Sequence, residues 1–467
     1  MRQTKFALAA MALAVLAGCG GTDPAPGNQS VKIKYSAEVT FGDSLSDVGS
    51  YAVGTVAALK GGKFTINGDN TSINSTLTGK TWTELLAAQI GLSAPCAAVT
   101  GLDGDATKGF SVPATAHAGC YNYAMGGSRI SNPVGSGHKA TGSPVGALTY
   151  PITTQIANHL KAVGGKFKGD ELVLVFGGGG EILAQLAELS AAATAAGNAA
   201  GAAAGAQTYV QSLVSQLAAK ATDPATAAAA ITAAVATESA RAGSTRESIT
   251  LAAIGAAAVQ PGAASVADKA VYGPITLKAG ADATAAGTAA GTKAGADYAA
   301  ANGPAVVTNM GKAAVELVGL VKNQILANGA NYVVVNNLPD VATTPSGRTK
   351  DASTQALINA AVSAFNTALA SGLSGESKVV LVDVFAVSHD QATNPGPYGL
   401  TNVAEPACII TDTTKNALSS SLVCNGGNLK SGDVSHWSFA DDVHPTPYNH
   451  LLLARYVSMA LVTKGWL

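Results

Sequence analysis

A serine hydroxyl is a poor nucleophile until a base within hydrogen-bonding reach can take its proton, and that base works best when a carboxylate orients it. The chain carries candidate parts for this chemistry at its two ends. Gly42-Asp43-Ser44-Leu45-Ser46-Asp47-Val48-Gly49-Ser50 follows the apolar run Val39-Thr40-Phe41, and Asp441-Asp442-Val443-His444-Pro445-Thr446 stands near the other terminus. A serine just past a strand lies at the carboxyl edge of a parallel sheet, where ligands bind. The pattern predicts that a helix opens there, so that the Ser44 amide and the helix dipole face a developing oxyanion. Equally, Ser44 reads as a plain helix cap with Asp47 as the return half of a capping box. An acid and a histidine three residues apart on one loop can bring carboxylate to imidazole, and Pro445 fixes the backbone just past the base. Alone, His444 reads as a surface histidine. Together the two segments give Ser44 as nucleophile, His444 as base and Asp441 as the orienting acid. Asp433 and Asp442 are reserve acids, and His389, His436 and His450 read as structural or surface residues.

These side chains can meet only on a rigid frame. From about 35 to 185, and again from about 305 to 467, short apolar runs alternate with helical stretches. Residues 172–176, 332–335 and 379–382 read as buried strands, and 82–90, 310–326, 356–370 and 448–462 as helices. Continuous apolar strands separated by helices imply a parallel sheet covered on both faces, hence an α/β fold.

Between these zones, roughly 186–304 is dominated by Ala, Gly and Thr. The segment 193–201 (ATAAGNAAG) recurs as 283–291 (ATAAGTAAG), each copy with glycine every fourth residue: Gly197, Gly201, Gly205 and Gly287, Gly291, Gly295. A four-residue period stays on one helix face for about two turns and leaves a surface free of side chains, on which two backbones approach closely. Glycine costs about 1 kcal/mol per helical position relative to alanine, so its regular use needs a packing reason. The spacing predicts a helical insertion of two antiparallel helices packed glycine to glycine, with 206–280 at the distal end. A low-complexity linker is the competing reading. Lys, Asp, Gln and Thr interrupt the apolar runs and disfavour a transmembrane hairpin.

The first residues have the form of an export signal. Arg2 and Lys5 precede an apolar run to Leu16, too short to span a bilayer, and a polar Gly/Pro/Asn/Ser linker follows. Leu16-Ala17-Gly18-Cys19 resembles the bacterial lipobox, which implies a signal peptide over 1–18, acylation of Cys19 and a flexible linker over 19–34. By resemblance to lipoprotein sorting, the lack of Asp after Cys19 favours the outer membrane or cell surface of a Gram-negative bacterium. Lipidation of Cys19 leaves four of the five cysteines. In an oxidising compartment these pair most readily with sequence neighbours, Cys96 with Cys120 and Cys408 with Cys424. No C-x-x-C or histidine cluster supports a metal site. A net charge of −1 with 12% charged residues excludes the basic stripe of a nucleic-acid binder.

Gly42–Gly49 resembles the first block of the GDSL (SGNH) esterase family and Asp441–Thr446 its last, D-x-x-H-P-T. Asn122-Tyr123-Ala124-Met125-Gly126-Gly127-Ser128 resembles the second block, and 80–86 is also similar. The resemblance covers both α/β zones and implies a flavodoxin-like three-layer αβα sandwich that hydrolyses esters without a cofactor. The oxyanion would be held by the backbone N–H groups of Ser44 and Gly127. One block departs. Where the family has G-x-N-D, whose Asn is a third oxyanion donor, this chain has Gly177-Gly178-Gly179-Gly180-Glu181, with Gly180 in the Asn position. Losing one such donor costs about 10²–10³ in turnover. The two expectations are a slow enzyme in which Asn at Gly180 restores rate, or a glycine loop whose Gly180 amide enters the hole instead. Few charges and few aromatics suit an apolar, lipid-like ester. A non-catalytic surface or assembly lipoprotein on the same fold, and a carbohydrate O-deacetylase, are the alternatives.

Overall fold

The computed structural model describes residues 33–68 and 79–467. The expected signal peptide, Cys19 and nearly all of the 19–34 linker lie outside the described residues.

The strands are β1 (Glu38–Gly42), β2 (Val99–Asp103), β3 (Ser111–Ala116), β4 (Leu172–Phe176), β5 (Tyr332–Asn336), β6 (Val379–Val382), β7 (Asn402–Pro406) and β8 (Trp437–Phe439). The longer helices are α1 (Trp82–Gln89), α2 (Ile152–Ala162), α3 (Gly179–Ala218), α4 (Pro224–Ser239), α5 (Arg246–Ala258), α6 (Lys269–Leu320), α7 (Ala352–Leu373), α8 (Val384–Thr393) and α9 (Pro447–Lys464). The central sheet is parallel, in the order β1-β4-β5-β6. Tyr121 and Tyr123 bond to Thr40 along the free edge of β1, at 3.0 and 2.8 Å.

Because side chains alternate across a strand, the two apolar sets face opposite layers. Val39, Phe41, Val173, Val175, Val333 and Val335 pack with residues of α2, the start of α3, the end of α6, and α7. Leu172, Leu174, Phe176, Val334, Val380 and Val382 pack with residues of α1, α8 and α9. This is the three-layer αβα sandwich. Both cysteine pairs are disulfides, Cys96–Cys120 and Cys408–Cys424. The first lies next to the Tyr121–Tyr123 edge, where the Asn122 amide donates to the Cys96 carbonyl.

The Ala/Gly-rich stretch forms a helical arm. α3 and α6 have 40 and 52 residues, roughly 60 and 78 Å at 1.5 Å per residue. They run as an antiparallel pair whose repeats meet: a Cβ on Gly197 would lie 2.7 Å from the Gly291 carbonyl oxygen, and one on Gly201 2.8 Å from that of Gly287. The change of composition at 186 and 304 is not a break in structure, since both helices run through it into the sandwich. Beyond the glycines the arm has its own small core, in which Leu213 and Leu217 of α3 meet Ile231 of α4, Ile254 of α5 and Ile275 of α6.

Candidate active site

β1 ends at Gly42, where a side chain has no room: a Cβ would sit 2.3 Å from the Phe176 carbonyl oxygen. Gln155 of α2 clamps this strand end, its Oε1 accepting from the Gly42 N–H at 2.9 Å and its Nε2 donating to the Gly42 carbonyl at 2.8 Å. The chain then turns sharply, with the Ser46 amide donating to the Asp43 carbonyl at 3.1 Å. Ser44 sits in this turn. No helix opens here, contrary to the sequence pattern, because the side chains that would cap one are used otherwise. Asp47 is wholly buried; its carboxylate accepts from the Gly49 and Ser50 amides at 2.8 Å and from the Gly126 amide at 2.9 Å. The capping-box reading of Ser44 and Asp47 therefore fails, and Ser44 heads no helix of its own.

The loop before α9 brings His444 to the same place. Its Nε2 lies 2.8 Å from Ser44 Oγ, across 400 residues of sequence. Its Nδ1 lies 2.8 and 2.9 Å from the two oxygens of Asp441. Asp441 also accepts the Ser421, Val443 and His444 amides at 2.8, 3.0 and 2.8 Å. Burial alone would raise the Asp441 pKa, but the His444 ring and these donors hold it well below the usual carboxylate range. The Phe64 ring lies against the imidazole, with centroids 4.9 Å apart. Asp433 is exposed and accepts from the Ser435 amide, and among the described residues neither it nor Asp442 bonds to His444. His450 is buried under α1, accepting the Trp82 amide at 3.3 Å, and burial pushes its pKa down to about 3. His389 pairs with Asp340 at 2.7 Å, and His436 lies beside Ser435.

Beside Ser44 lies the 125–128 turn. Gly127 has a φ of +81°, and a Cβ there would fall 2.1 Å from the Ser136 carbonyl oxygen, so only glycine fits. Its neighbour Gly126 is held at both ends, the amide by Asp47 and the carbonyl by the Tyr51 hydroxyl at 2.8 Å. Among the described residues, neither the Ser44 nor the Gly127 amide donates to a protein acceptor.

Gly180 lies at the rim of the same cleft, but its amide is committed, donating to Asp43 Oδ2 at 3.2 Å. The expectation that this N–H enters the hole is thereby corrected. The expectation that Asn could be restored there also fails: a Cβ would stand 2.1 Å from the Ser128 carbonyl oxygen. Glu181, the next residue, points away from Ser44. Its carboxylate accepts Arg129 Nη2 at 2.6 Å, Arg129 Nε at 3.1 Å and Gln185 Nε2 at 2.9 Å, while Arg129 Nη1 reaches Glu188 at 2.6 Å. Arg129 and Glu181 are both buried. The first three turns of α3 are thus fastened to the turn that carries Gly127.

Sequence reasoning gave Asp47 the wrong role and missed Tyr51, Gln155 and Arg129. Asp47 lies inside a quoted motif and Arg129 adjoins one, but Gly126 and Glu181, which they hold, lie far off in sequence. The cleft holds about 440 Å³ between Ser44, His444, Gly127, Tyr51, Phe64 and Leu418. Among the described residues, no group of three or more His, Cys, Asp or Glu is placed to hold a metal ion.

A doubly covered parallel sheet, with a serine, a histidine and an aspartate in hydrogen-bond contact at its carboxyl edge, defines an α/β protein with the layout of a hydrolase. The family model of the GDSL-like lipase/acylhydrolases matches residues 190–457, more than half of the chain. The chain belongs to that family, and membership makes it a hydrolase of ester-type substrates, of the esterase or lipase kind. The matched stretch begins in the arm and includes Asp441 and His444, while Ser44 and Gly127 lie upstream of it. No curated protein matches the chain.

Proposed function

We propose that the chain is a serine carboxylic-ester hydrolase acting through an acyl-enzyme. Ser44 Oγ attacks the ester carbonyl as His444 Nε2 takes its proton, and His444 then returns that proton to the departing alcohol. Asp441 fixes the ring through Nδ1 and stabilises its charged form. The Ser44 and Gly127 amides hold the tetrahedral oxyanion. Water, deprotonated by His444, releases the acid and restores Ser44. The observation that carries this reading is the unbroken relay Asp441–His444–Ser44, each contact at 2.8 Å. With no side-chain donor at Gly180, turnover falls short of a three-donor relative by about 10²–10³. Cys19, by its lipobox-like setting, anchors the enzyme to the outer membrane.

A fluorophosphonate probe should label Ser44, identified by peptide mapping. Ser44→Ala should abolish labelling and lower hydrolysis of p-nitrophenyl butyrate by about 10⁴-fold or more. Equal rates for the two proteins would leave the fold as a non-catalytic scaffold.

A further inference from the structure

A second and larger concavity, of about 1770 Å³, adjoins the catalytic cleft. Leu183 of α3 lines both, and Val443, the neighbour of His444, lines the near end of the larger one. The groove runs along the arm from Leu183 to Ala202, roughly 28 Å at 1.5 Å per residue. Its far end is bordered by the seam where Gly197 and Gly201 meet Gly291 and Gly287, with Thr194, Asn198, Thr288 and Thr292 beside it, and Leu186, Val307 and Leu357 stand along its nearer part. Among the described residues no aromatic side chain lines it, so these offer no stacking surface for sugars. Among the described residues, Lys350 and Asp351 are its only charged lining residues, and Asp351 is already engaged in capping α7 through the Ser353 and Thr354 amides.

We propose that this groove seats the hydrocarbon chain of a long-chain acyl ester, so that the arm is an extension of the acyl-binding site. The proposal rests on the hydrolase reading and goes beyond it by naming the substrate class. The occupant follows from the continuity at Leu183 and from the lining along the arm, which is long and uncharged, with Leu183, Leu186, Leu189 and Val307 toward the catalytic cleft and small Ala, Gly, Ser and Thr residues beyond them. The acyl side is favoured over the alcohol because the alcohol departs in the first step. The acyl group stays on Ser44 through the second, so chain contacts hold it through both.

The test is a tryptophan placed on the groove floor outside the catalytic cleft. Ala187 is exposed, lines the groove and lies one turn beyond Leu183; Asn198 is exposed near the far end. Ala187→Trp should lower kcat/KM for p-nitrophenyl palmitate by about tenfold, the loss expected when a couple of methylene groups are denied burial. It should leave p-nitrophenyl butyrate within about twofold, since a short chain ends before the groove. Asn198→Trp should act in the same direction but less. Fluorescence of bound cis-parinaric acid gives a second readout that needs no turnover, and Ala187→Trp should weaken its binding. Equal effects on both esters, or unchanged palmitate turnover and parinarate binding, would overturn the proposal. Parinarate binding that weakens as expected in a protein with no butyrate turnover would support the groove while removing the catalytic reading.

Discussion

The two ends of helix α3 use glycine for different reasons. At its start, Gly178 has a φ of +117° and Gly180 packs on the Ser128 carbonyl, so these residues serve a turn and a close approach within the active-site shell. Further out, Gly197, Gly201 and Gly205 have ordinary helical backbone, and what excludes a side chain there is a second helix lying across them. In the cradle each glycine answers to a different neighbour, and buried polar groups set the geometry: Asp47 on Gly126, Gln155 on Gly42, Arg129 on Glu181. In the arm one spacing is repeated and charge is scarce. A substitution in the cradle should therefore change rate, whereas one in the glycine seam of the arm should change stability and leave the turnover of short esters alone.

The largest expected effect on this contrast comes from Arg129. Removing its charge leaves Glu181 buried without its partner, which typically costs 3–5 kcal/mol, and frees the turn that carries Gly127. Misplacement of a reacting or stabilising group by about 1 Å costs on the order of 10²-fold. Arg129→Gln should therefore lower kcat on p-nitrophenyl butyrate by 10–100-fold (about 1.4–2.7 kcal/mol) while KM changes by less than about threefold. Glu181→Gln, which keeps an acceptor, should lose less. Steady-state kinetics with melting curves decide the matter; unchanged kcat in a destabilised Arg129→Gln would make the pair merely structural and blur the distinction between the regions.

How much of this was legible follows the same division. The arm's packing could be read from the repeat, because a period of four has one geometric meaning in a helix and the partner copy carried the same period. The sheet could be read because 172–176, 332–335 and 379–382 are continuous apolar runs of strand length. Ser44, His444 and Asp441 stood in recognisable blocks, and the fold brings them into contact. What could not be read is whatever depends on a distant partner. Asp47 looked like a local cap but bonds to Gly126, 79 positions away. Glu181 looked like part of a degraded oxyanion block but pairs with Arg129, 52 positions earlier. Gly180 was ambiguous because a missing side chain has no chemistry of its own, and only the Ser128 carbonyl 2.1 Å from its would-be Cβ explains it.

A smaller effect is expected in the arm. Gly197→Ala places a methyl group 2.7 Å from the Gly291 carbonyl oxygen, a backbone atom that moves only if the helices part. Overpacking of this kind costs 1–3 kcal/mol, offset by up to about 1 kcal/mol of better helix propensity. A net loss of about 1–2 kcal/mol should appear as faster amide hydrogen exchange around Leu213 and Ile231 in the distal core. Butyrate hydrolysis should stay within about twofold. Slower turnover matching the faster exchange would show that the arm and the cradle are one cooperative unit.

The smallest effect has the opposite sign and isolates the cause. Gly255 lies on the exposed face of α5, in the same arm, and a Cβ there meets nothing within 4 Å. The identical substitution, Gly255→Ala, adds no contact and removes only the freedom that glycine has in the unfolded chain. It should stabilise the distal arm by about 0.5–1 kcal/mol, measured by the same exchange experiment. If glycine in the arm served flexibility rather than close approach, both substitutions would stiffen the helices and exchange would slow in both proteins. Faster exchange for Gly197→Ala with slower exchange for Gly255→Ala can arise only if the facing backbone, not the helix itself, is what excludes the side chain.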